Sequence, residues 1–505
     1  MTSKELYNSY ERKKKQFHEY IDNVKQNSSW YIYTIINPTL IKNPYASEFP
    51  KNFFIKTTNK SNKSVSFIKY SISFYVKQIY SLLSYFIAFT IYKLFYRKSV
   101  KINNTLINVT LLTDDVISQN KYNENYFKSL YPILDNYNYK YTFMPRLYGV
   151  KNNPFKLIKL FKIINKDKRS FLFEYEFLTI LDFFKLFTMI IKYPFKTLRL
   201  IEDEKSLQDE LFNQSLIQDI SNMNFDAFTK YLYGEKIAGI NTLKYIYSWS
   251  EFQVTERSFN YGIKTNNKTI QIIACQFFLN YETYFNTYVD DIDFNMLSAP
   301  DEVLVNGKYY IRNINKVKYR AGVSLRYKAV FEFRGIKKES NILLLGSYIE
   351  SDTKYMLESV KYFENVIFKN HPAVDINKFG VLPKNITVSN DNIYKLFENA
   401  KLAIGTASGT CVEAAASGVS VIIIASQDNL TSNPLVEHGK GKIWDIAFSK
   451  DEVNFLYNKL IDFRKNNPTE IEDIASWYRD NFFIEPNEEN IIKVFELDKQ
   501  GCYVT

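Results

Sequence analysis

The stretch that decides the fold is LAIGTASGTCVEAAASGVSVIIIAS, residues 402–426. An apolar run at its start and a second at its end flank a turn of small residues and a segment of helical composition. This order is typical of parallel strands joined by a crossover helix. Because both strands are apolar along their whole length, we expect both faces of the sheet to be covered.

The same alternation of short apolar strands and helical segments runs through the second half of the chain. Further strand-like runs lie in SNILLLGSY (340–348), NVIFKNHP (365–372) and NITVSN (385–390), with helical segments such as DTKYMLESVKYF (352–363) between them. The pattern predicts a parallel sheet between two helical layers. We therefore expect a Rossmann-like domain over residues 331–480 and a C-terminal helix or tail over 481–505.

The first half contains similar runs at wider spacing. Strands are predicted in WYIYTII (30–36), LINVTLLTDD (106–115), TIQIIACQF (269–277) and DEVLV (301–305). They predict a second Rossmann-like domain over residues 29–330 with basic, aromatic helical insertions, after a polar helical extension over residues 1–28. The expected fold is α/β, with two Rossmann-like domains facing each other across a cleft and added N-terminal helical segments.

The net charge limits the classes of partner. The 505 residues include 65 Lys and Arg against 54 Asp and Glu, a formal charge of +11. Such a balance suits an anionic substrate or an anionic membrane surface. The basic residues form no tract and no nucleic-acid-binding motif is present, so we expect no nucleic acid partner.

Cysteine spacing and the start of the chain bear on the compartment. Cys275, Cys411 and Cys502 are too far apart for a disulfide framework or a zinc pattern. The opening residues MTSKELYNSYERKKKQ are charged and lack the apolar core of a secretory signal. We expect a cytoplasmic protein.

Two stretches combine apolar and basic residues. They are QIYSLLSYFIAFTIYKLFYRK (78–98) and FLTILDFFKLFTMIIKYPFKTLRLI (177–201). Neither is predicted to span a bilayer. One interpretation makes them core helices of the first domain. The other makes them peripheral contacts with the inner face of the cytoplasmic membrane, with lysines on lipid phosphates.

Polar residues follow the strands of the second domain, at the edge where ligands bind in open parallel sheets. The first group is Lys369, His371 and Pro372, which end the run NVIFKNHP. The second is the turn with Thr406, Ser408, Gly409 and Thr410, whose hydroxyls and backbone N–H groups suit a phosphate.

Two more elements complete the predicted nucleotide site. Glu413 lies one helical turn beyond the small-residue turn, where a carboxylate suits the two hydroxyls of a ribose. The polar loop after the next strand contains Gln427, Asp428 and Asn429, which could meet a sugar or a second phosphate.

Residues 336–450 resemble the nucleotide-binding domain of GT-B glycosyltransferases. KNHPAVD looks like the His-Pro motif of bacterial sialyl-, Kdo- and polyol-phosphate transferases, and GTASGTCVEAAASGVSVI looks like their phosphate loop and ribose-binding glutamate. Together with YSWSEFQVTERSFNYGIK (247–264) and VSLRY (323–327), the chain resembles bacterial proteins of surface-carbohydrate biosynthesis, as for O-antigen, capsule or lipopolysaccharide. Many relatives have consecutive serines or threonines where this turn reads Ala-Ser-Gly, which puts one phosphate ligand in doubt.

The resemblance implies a glycosyltransferase that needs no metal or cofactor. Its substrates would be a CMP-, UDP-, GDP- or dTDP-linked sugar and a glycan acceptor that is lipid-linked. If the anomeric carbon is inverted, a base must deprotonate the acceptor hydroxyl. Its candidates are Asp114, Asp115, Glu251 and Glu256. Asp291 and Asp293 in DDIDF could mimic a metal motif, but a solvated loop is expected there.

Three alternatives stay open. A sugar-nucleotide 2-epimerase has a similar turn but usually more histidines near its site. A polyol-phosphate transferase uses a second histidine in the first domain, where only His18 is present. A non-catalytic, membrane-associated assembly factor would keep the fold and lose nucleotide binding.

Overall fold

A computed structural model describes residues 2–28, 31–44, 46–55, 66–148 and 153–497. Its strands form two separate sheets of six parallel strands each. The first contains β1 (Thr105–Leu112), β2 (Thr142–Tyr148), β3 (Tyr245–Trp249), β4 (Gln271–Gln276), β5 (Glu302–Val305) and β6 (Lys318–Ala321), in the order β2-β1-β3-β4-β5-β6. The second contains β7 (Asn341–Leu345), β8 (Val366–Lys369), β9 (Ile386–Val388), β10 (Ala400–Gly405), β11 (Ser420–Ile424) and β12 (Trp444–Ala447), in the order β12-β11-β10-β7-β8-β9.

Helices surround both sheets. Those before the second sheet are α1 (Ser3–Asn27), α2 (Ile32–Ile35), α3 (Phe49–Ile55), α4 (Phe67–Phe95), α5 (Thr113–Gln119), α6 (Tyr131–Asn136), α7 (Pro154–Ile164), α8 (Ile180–Thr197), α9 (Leu207–Asp219), α10 (Phe225–Ala238), α11 (Val254–Asn266), α12 (Asp291–Asn295) and α13 (Lys328–Glu332). Those after its first strand are α14 (Glu350–Ser359), α15 (Ile393–Phe397), α16 (Thr410–Ala416), α17 (Lys450–Asn466), α18 (Pro468–Phe482) and α19 (Glu488–Phe495). The predicted fold of two Rossmann-like domains is confirmed.

The second sheet shows why its strands are apolar throughout. Successive residues of a strand point to opposite faces. In β7, Leu343 and Leu345 pack into the core on one face, while Ile342 and Leu344 pack into the core on the other. Both faces are therefore buried under helices, as the sequence predicts.

The two ends of the chain tie the domains together. The Ser3 hydroxyl at the start of α1 donates to the Phe448 carbonyl in the second domain. After α18 the chain returns to the first domain, where the Phe495 ring of α19 lies 5.2 Å from the Tyr247 ring of β3.

One predicted strand is wrong. The run WYIYTII contains the short helix α2 instead, and Ile32 and Ile36 are buried in the core of the first domain. The run is apolar because these side chains are buried in the core, and not because it pairs as a strand.

Candidate active site

A cavity of 730 Å³ lies between the two domains. The segments that follow β3, β4, β7, β8 and β10 all line it. These are carboxyl ends of parallel strands, the usual place for a ligand in this architecture. His371, Pro372, Ser408, Gly409, Thr410 and Glu413 line the second-domain side, and Glu251 lines the first-domain side. The structure thus brings seven of the predicted site residues together.

The turn after β10 presents donors to the cavity. The backbone N–H groups of Ser408, Gly409 and Thr410 bond to no other residue that the structure describes. Ala407 before them has φ +47°, a left-handed conformation that costs an alanine roughly 1–3 kcal/mol. A cluster of consecutive free N–H groups beside such a residue forms a concave anion site.

Gly409 is fixed by its neighbour in the first domain. A Cβ atom at this position would lie 3.1 Å from Cβ of Leu279. The turn therefore approaches the first domain closely, and a side chain at 409 would require Leu279 to shift by a few tenths of an ångström.

His371 is held in one tautomer. Its Nδ1 accepts a hydrogen bond of 3.2 Å from the backbone N–H of Ala373. Nδ1 therefore carries no proton, and in the neutral ring Nε2 carries one and is the donor. Partial burial lowers the pKa of His371, which favours this neutral form.

Glycine at 346 sets the position of that histidine. A Cβ atom on Gly346 would lie 2.9 Å from the backbone nitrogen of His371. Only glycine lets the end of β7 pack this closely against the residues after β8.

Glu413 is buried and engaged on one oxygen. The Tyr394 hydroxyl donates to its Oε2 at 2.6 Å. Burial raises the pKa of Glu413, whereas this hydrogen bond and the positive charge of Arg326 favour the ionised form. The Thr410 side chain also favours the ionised form of Glu413, which faces the cavity.

The candidate bases separate in the structure. Glu251 lines the cavity, and desolvation together with the nearby Glu256 charge raises its pKa. Glu256 itself is buried in an ion pair with Arg146 and does not line the cavity. Phe252, next to Glu251, has φ +51°, a strained backbone conformation like that of Ala407 on the opposite side of the cavity.

Asp114 and Asp115 lie elsewhere. Both belong to the first turn of α5 and neither lines the cavity. The Asp114 carboxylate accepts from the Lys156 ammonium at 2.6 Å.

Arg326 lines the cavity and was not among the predicted site residues. Its side chain is exposed at the cavity, and its guanidinium carbon lies 5.5 Å from the centre of the Trp249 ring. No carboxylate of the described residues lies within 4.0 Å of it. Stacking fixes the direction of this unpaired cation, which is available to an anionic ligand. Arg326 lies in the segment VSLRY (323–327), which was considered only for its resemblance to surface-carbohydrate biosynthesis proteins.

Five other predicted residues do not line the cavity. They are Lys369, Thr406, Gln427, Asp428 and Asn429. The Lys369 ammonium donates to the Asp391 carbonyl at 2.7 Å, and Thr406 is buried. Asn429 lines a separate cavity of 170 Å³.

The expectation of a solvated loop at DDIDF is wrong. Residues 291–295 form α12, and the Asp293 carboxylate is buried between the Lys25 ammonium at 2.8 Å and the Arg257 guanidinium at 2.6 Å. Two cations neutralise the charge, so burial is possible. Among the described residues, no group of three or more His, Cys, Asp or Glu could hold a metal ion.

Solved structures of similar fold include two glycosyltransferases and a UDP-GlcNAc 2-epimerase. The glycotransferase of kitacinnamycin is 11% identical over 79% of this chain and 100% of its own, with a TM-score of 0.43. The calicheamicin glycosyltransferase is 9% identical over 80% and 99%, with a TM-score of 0.42. UDP-GlcNAc 2-epimerase from Methanocaldococcus jannaschii, in complex with UDP-GlcNAc and UDP, is 12% identical over 78% and 99%, with a TM-score of 0.41.

No protein-family model and no curated sequence matches the chain. At this identity and TM-score, no activity or substrate passes from the solved structures to this protein. Its function has to follow from the cavity and the residues around it.

Proposed function

We propose that the protein is a glycosyltransferase that moves a sugar from a nucleotide-sugar donor to a glycan acceptor. The observation that carries the proposal is the cavity of 730 Å³ between the domains. On the second-domain side it holds hydrogen-bond donors for a phosphate and the buried carboxylate of Glu413. On the first-domain side it holds the carboxylate of Glu251, whose pKa is raised. Donor and acceptor could therefore meet between the domains.

The donor nucleotide would bind to the second domain. The N–H groups of Ser408, Gly409 and Thr410 and the Nε2–H of His371 would bind its phosphate, and Glu413 would accept from the ribose hydroxyls. When the bond between the anomeric carbon and the phosphate oxygen breaks, the phosphate gains negative charge. Fixed donors and the Arg326 cation would stabilise that charge. No cofactor is needed for this step.

The acceptor hydroxyl would react from the first-domain side. Glu251 would take its proton as the hydroxyl oxygen bonds to the anomeric carbon. Desolvation raises the pKa of this carboxyl, which brings its basicity closer to that of a useful general base. We place Glu251 ahead of Glu256 and Asp115 because it alone of the three lines the cavity.

The histidines support a glycosyltransferase over its two enzymatic rivals. His371 is the only described histidine at the cavity. His18 lies away from it and is half-buried, and this burial lowers its pKa to about 4. A second histidine, which a polyol-phosphate transferase would use, is therefore missing from the cavity wall of the described residues.

The cellular role rests on the motif resemblance. We propose that the acceptor is a glycan, lipid-linked during synthesis of a bacterial surface polysaccharide such as O-antigen, capsule or lipopolysaccharide. The enzyme would then work in the cytoplasm.

The first experiment is calorimetric titration with CMP, UDP, GDP and dTDP. We expect one nucleotide to bind, and His371→Ala and Glu413→Ala to weaken it at least tenfold. His438→Ala is the matched control because His438 stacks on Trp477 outside the cavity. If none of the four nucleotides binds, the proposal fails and an assembly factor is the better interpretation.

The second experiment separates binding from chemistry. Glu251→Gln should keep nucleotide affinity and lower the transfer rate about 10²- to 10⁴-fold. Glu364→Gln, at an exposed position away from the cavity, is the control. Conversion of a UDP-sugar without any acceptor would instead identify an epimerase.

A further inference from the structure

Helices α4 and α8 present an unusual surface on the first domain. They run antiparallel, with the Phe67 ring 6.2 Å from the Phe195 ring at one end and the Phe86 ring 5.0 Å from the Phe183 ring nearer the other. Both pack into the same core, through residues such as Phe74 and Tyr193. Their remaining sides therefore form one outward surface, which we call the α4–α8 face.

The α4–α8 face is apolar and exposed. On α4 its large side chains are Ile68, Ile72, Val76, Ile79, Tyr80, Leu83, Phe86, Ile87 and Leu94, and on α8 they are Ile180, Leu181, Phe184, Phe187, Ile191 and Phe195. On each helix these positions fall within one stripe of the 3.6-residue repeat. Phe184 is 65% exposed and Leu181 is 77% exposed.

The area of this surface exceeds that of an ordinary exposed patch. At about 200 Å² for a fully exposed side chain of this size, it presents on the order of 1,500 Å². The largest apolar patch of a typical monomer is roughly 300–600 Å². Such a surface indicates a partner.

The charges on the two helices are cationic. Within α4 there is no Asp or Glu, and Lys69, Lys77 and Lys93 are exposed. Within α8 the one acidic residue is Asp182, which is buried and paired with Lys236. Lys192 lies exposed along one edge of the α8 stripe, whereas the Lys185 ammonium is ion-paired with Glu235.

This arrangement suits an anionic bilayer. Apolar side chains enter the headgroup region, while long lysine side chains reach lipid phosphates. We propose that the α4–α8 face docks the protein on a membrane surface rich in anionic lipid.

The helices lie on this surface and do not cross it. Of the described residues, α4 alone has the length and composition of a bilayer-spanning helix. However, its Phe74 and Tyr85 are fully buried in the domain core, and the Gln78 amide donates to the Met223 carbonyl. Insertion across a bilayer would remove these groups from the domain. The two interpretations of residues 78–98 and 177–201, core helices and peripheral membrane contacts, therefore hold together. One side of each helix packs into the core, and the other side is the docking surface.

The test is flotation of the full chain with vesicles. Vesicles of phosphatidylcholine alone are compared with vesicles that contain about one third phosphatidylglycerol, at low and high salt. We expect binding to the anionic vesicles that weakens at high salt. Phe184→Glu should reduce this binding at least tenfold, because it places an acid in the apolar stripe.

Phe455→Glu is the matched control. Phe455 has nearly the same exposure, 67%, but lies on α17 in the second domain. This variant should bind vesicles like the wild type. Far-ultraviolet circular dichroism of both variants shows that they are folded, so the test does not depend on the proposed transfer reaction.

Three results would overturn the proposal. One is no binding to either kind of vesicle. Another is equal loss of binding in both variants. The third is a wild-type dimer in light scattering that Phe184→Glu converts to a monomer, since the α4–α8 face would then join two copies of the chain.

Discussion

The hydrogen bond from Tyr394 to Glu413 should control the pH range in which the nucleotide binds. Burial raises the pKa of Glu413, and the Tyr394 hydroxyl opposes this because it donates to the ionised carboxylate. Tyr394→Phe removes the donor and keeps the ring, which packs 5.5 Å from the Phe397 ring. In the variant the pKa of Glu413 should therefore rise further, and a ribose site that needs the carboxylate should weaken as pH falls.

The size of this effect follows from the strength of the bond. A hydrogen bond to a charged group contributes about 1.5–3 kcal/mol, which corresponds to roughly a 10- to 100-fold change in the ionisation equilibrium. Because Glu413 also has Thr410 and Arg326 near it, we take the lower end. Nucleotide affinity of the variant should be about tenfold lower in mildly acidic buffer and should approach that of the wild type in alkaline buffer.

Calorimetric titration over a range of pH measures both limits. Tyr141→Phe is the control, because its hydroxyl donates to the exposed Asp135 carboxylate at 3.0 Å, in the first domain and away from the cavity. The reasoning is refuted if Tyr394→Phe and the wild type have the same affinity at every pH. A loss by one constant factor at every pH would also refute it, since that would reflect altered packing and not ionisation.

Three further predictions concern packing and charge. Asp293→Asn leaves two buried cations without their anion and should lower the free energy of unfolding by about 3–5 kcal/mol in urea, whereas Glu11→Gln, at an exposed pair, should change it by less than about 1 kcal/mol. Burial alone would raise the pKa of Asp293, but the two neighbouring cations hold this pKa well below its usual range. The contribution of Asp293 to the free energy of unfolding should therefore be present above about pH 4 and be lost as the pH falls below that. An acid unfolding curve unaffected by Asp293→Asn would contradict this. Gly346→Ala should displace His371 and weaken nucleotide binding, and unchanged affinity by calorimetry would show that the contact is dispensable.

The second domain could be predicted from sequence because its information is local. Five of its six strands lie in short apolar runs, each followed by the polar or small residues that end it, whereas β12 contains Asp445 and was not predicted. Strands of one parallel sheet bring these ends to one edge, so His371, Ser408 and Glu413 could be assigned to one cavity without coordinates.

The failures at Asp293 and Arg326 have the opposite cause, because each depends on a partner far away in the chain. Asp293 is buried only because Lys25, 268 residues earlier, reaches it. Arg326 is a candidate ligand because Trp249 supports it and no described carboxylate pairs with it. Pattern and propensity describe neighbours in sequence and do not reveal such pairings.

The contacts of α1 suggest how the cavity can open. Lys25 anchors the end of this helix to the first domain through a buried ion pair, and removal of one partner from such a pair costs several kcal/mol. Its start touches the second domain more lightly, through the hydrogen bond from Ser3 to the Phe448 carbonyl at 2.8 Å, an edge contact of the Tyr7 ring with the Phe448 ring at 5.7 Å, and the Lys4 ammonium 5.8 Å from the centre of that ring. These three contacts contribute about 1 kcal/mol each. Relative motion of the domains should therefore break the contacts at Phe448 first and leave α1 attached to the first domain, on the side of Glu251.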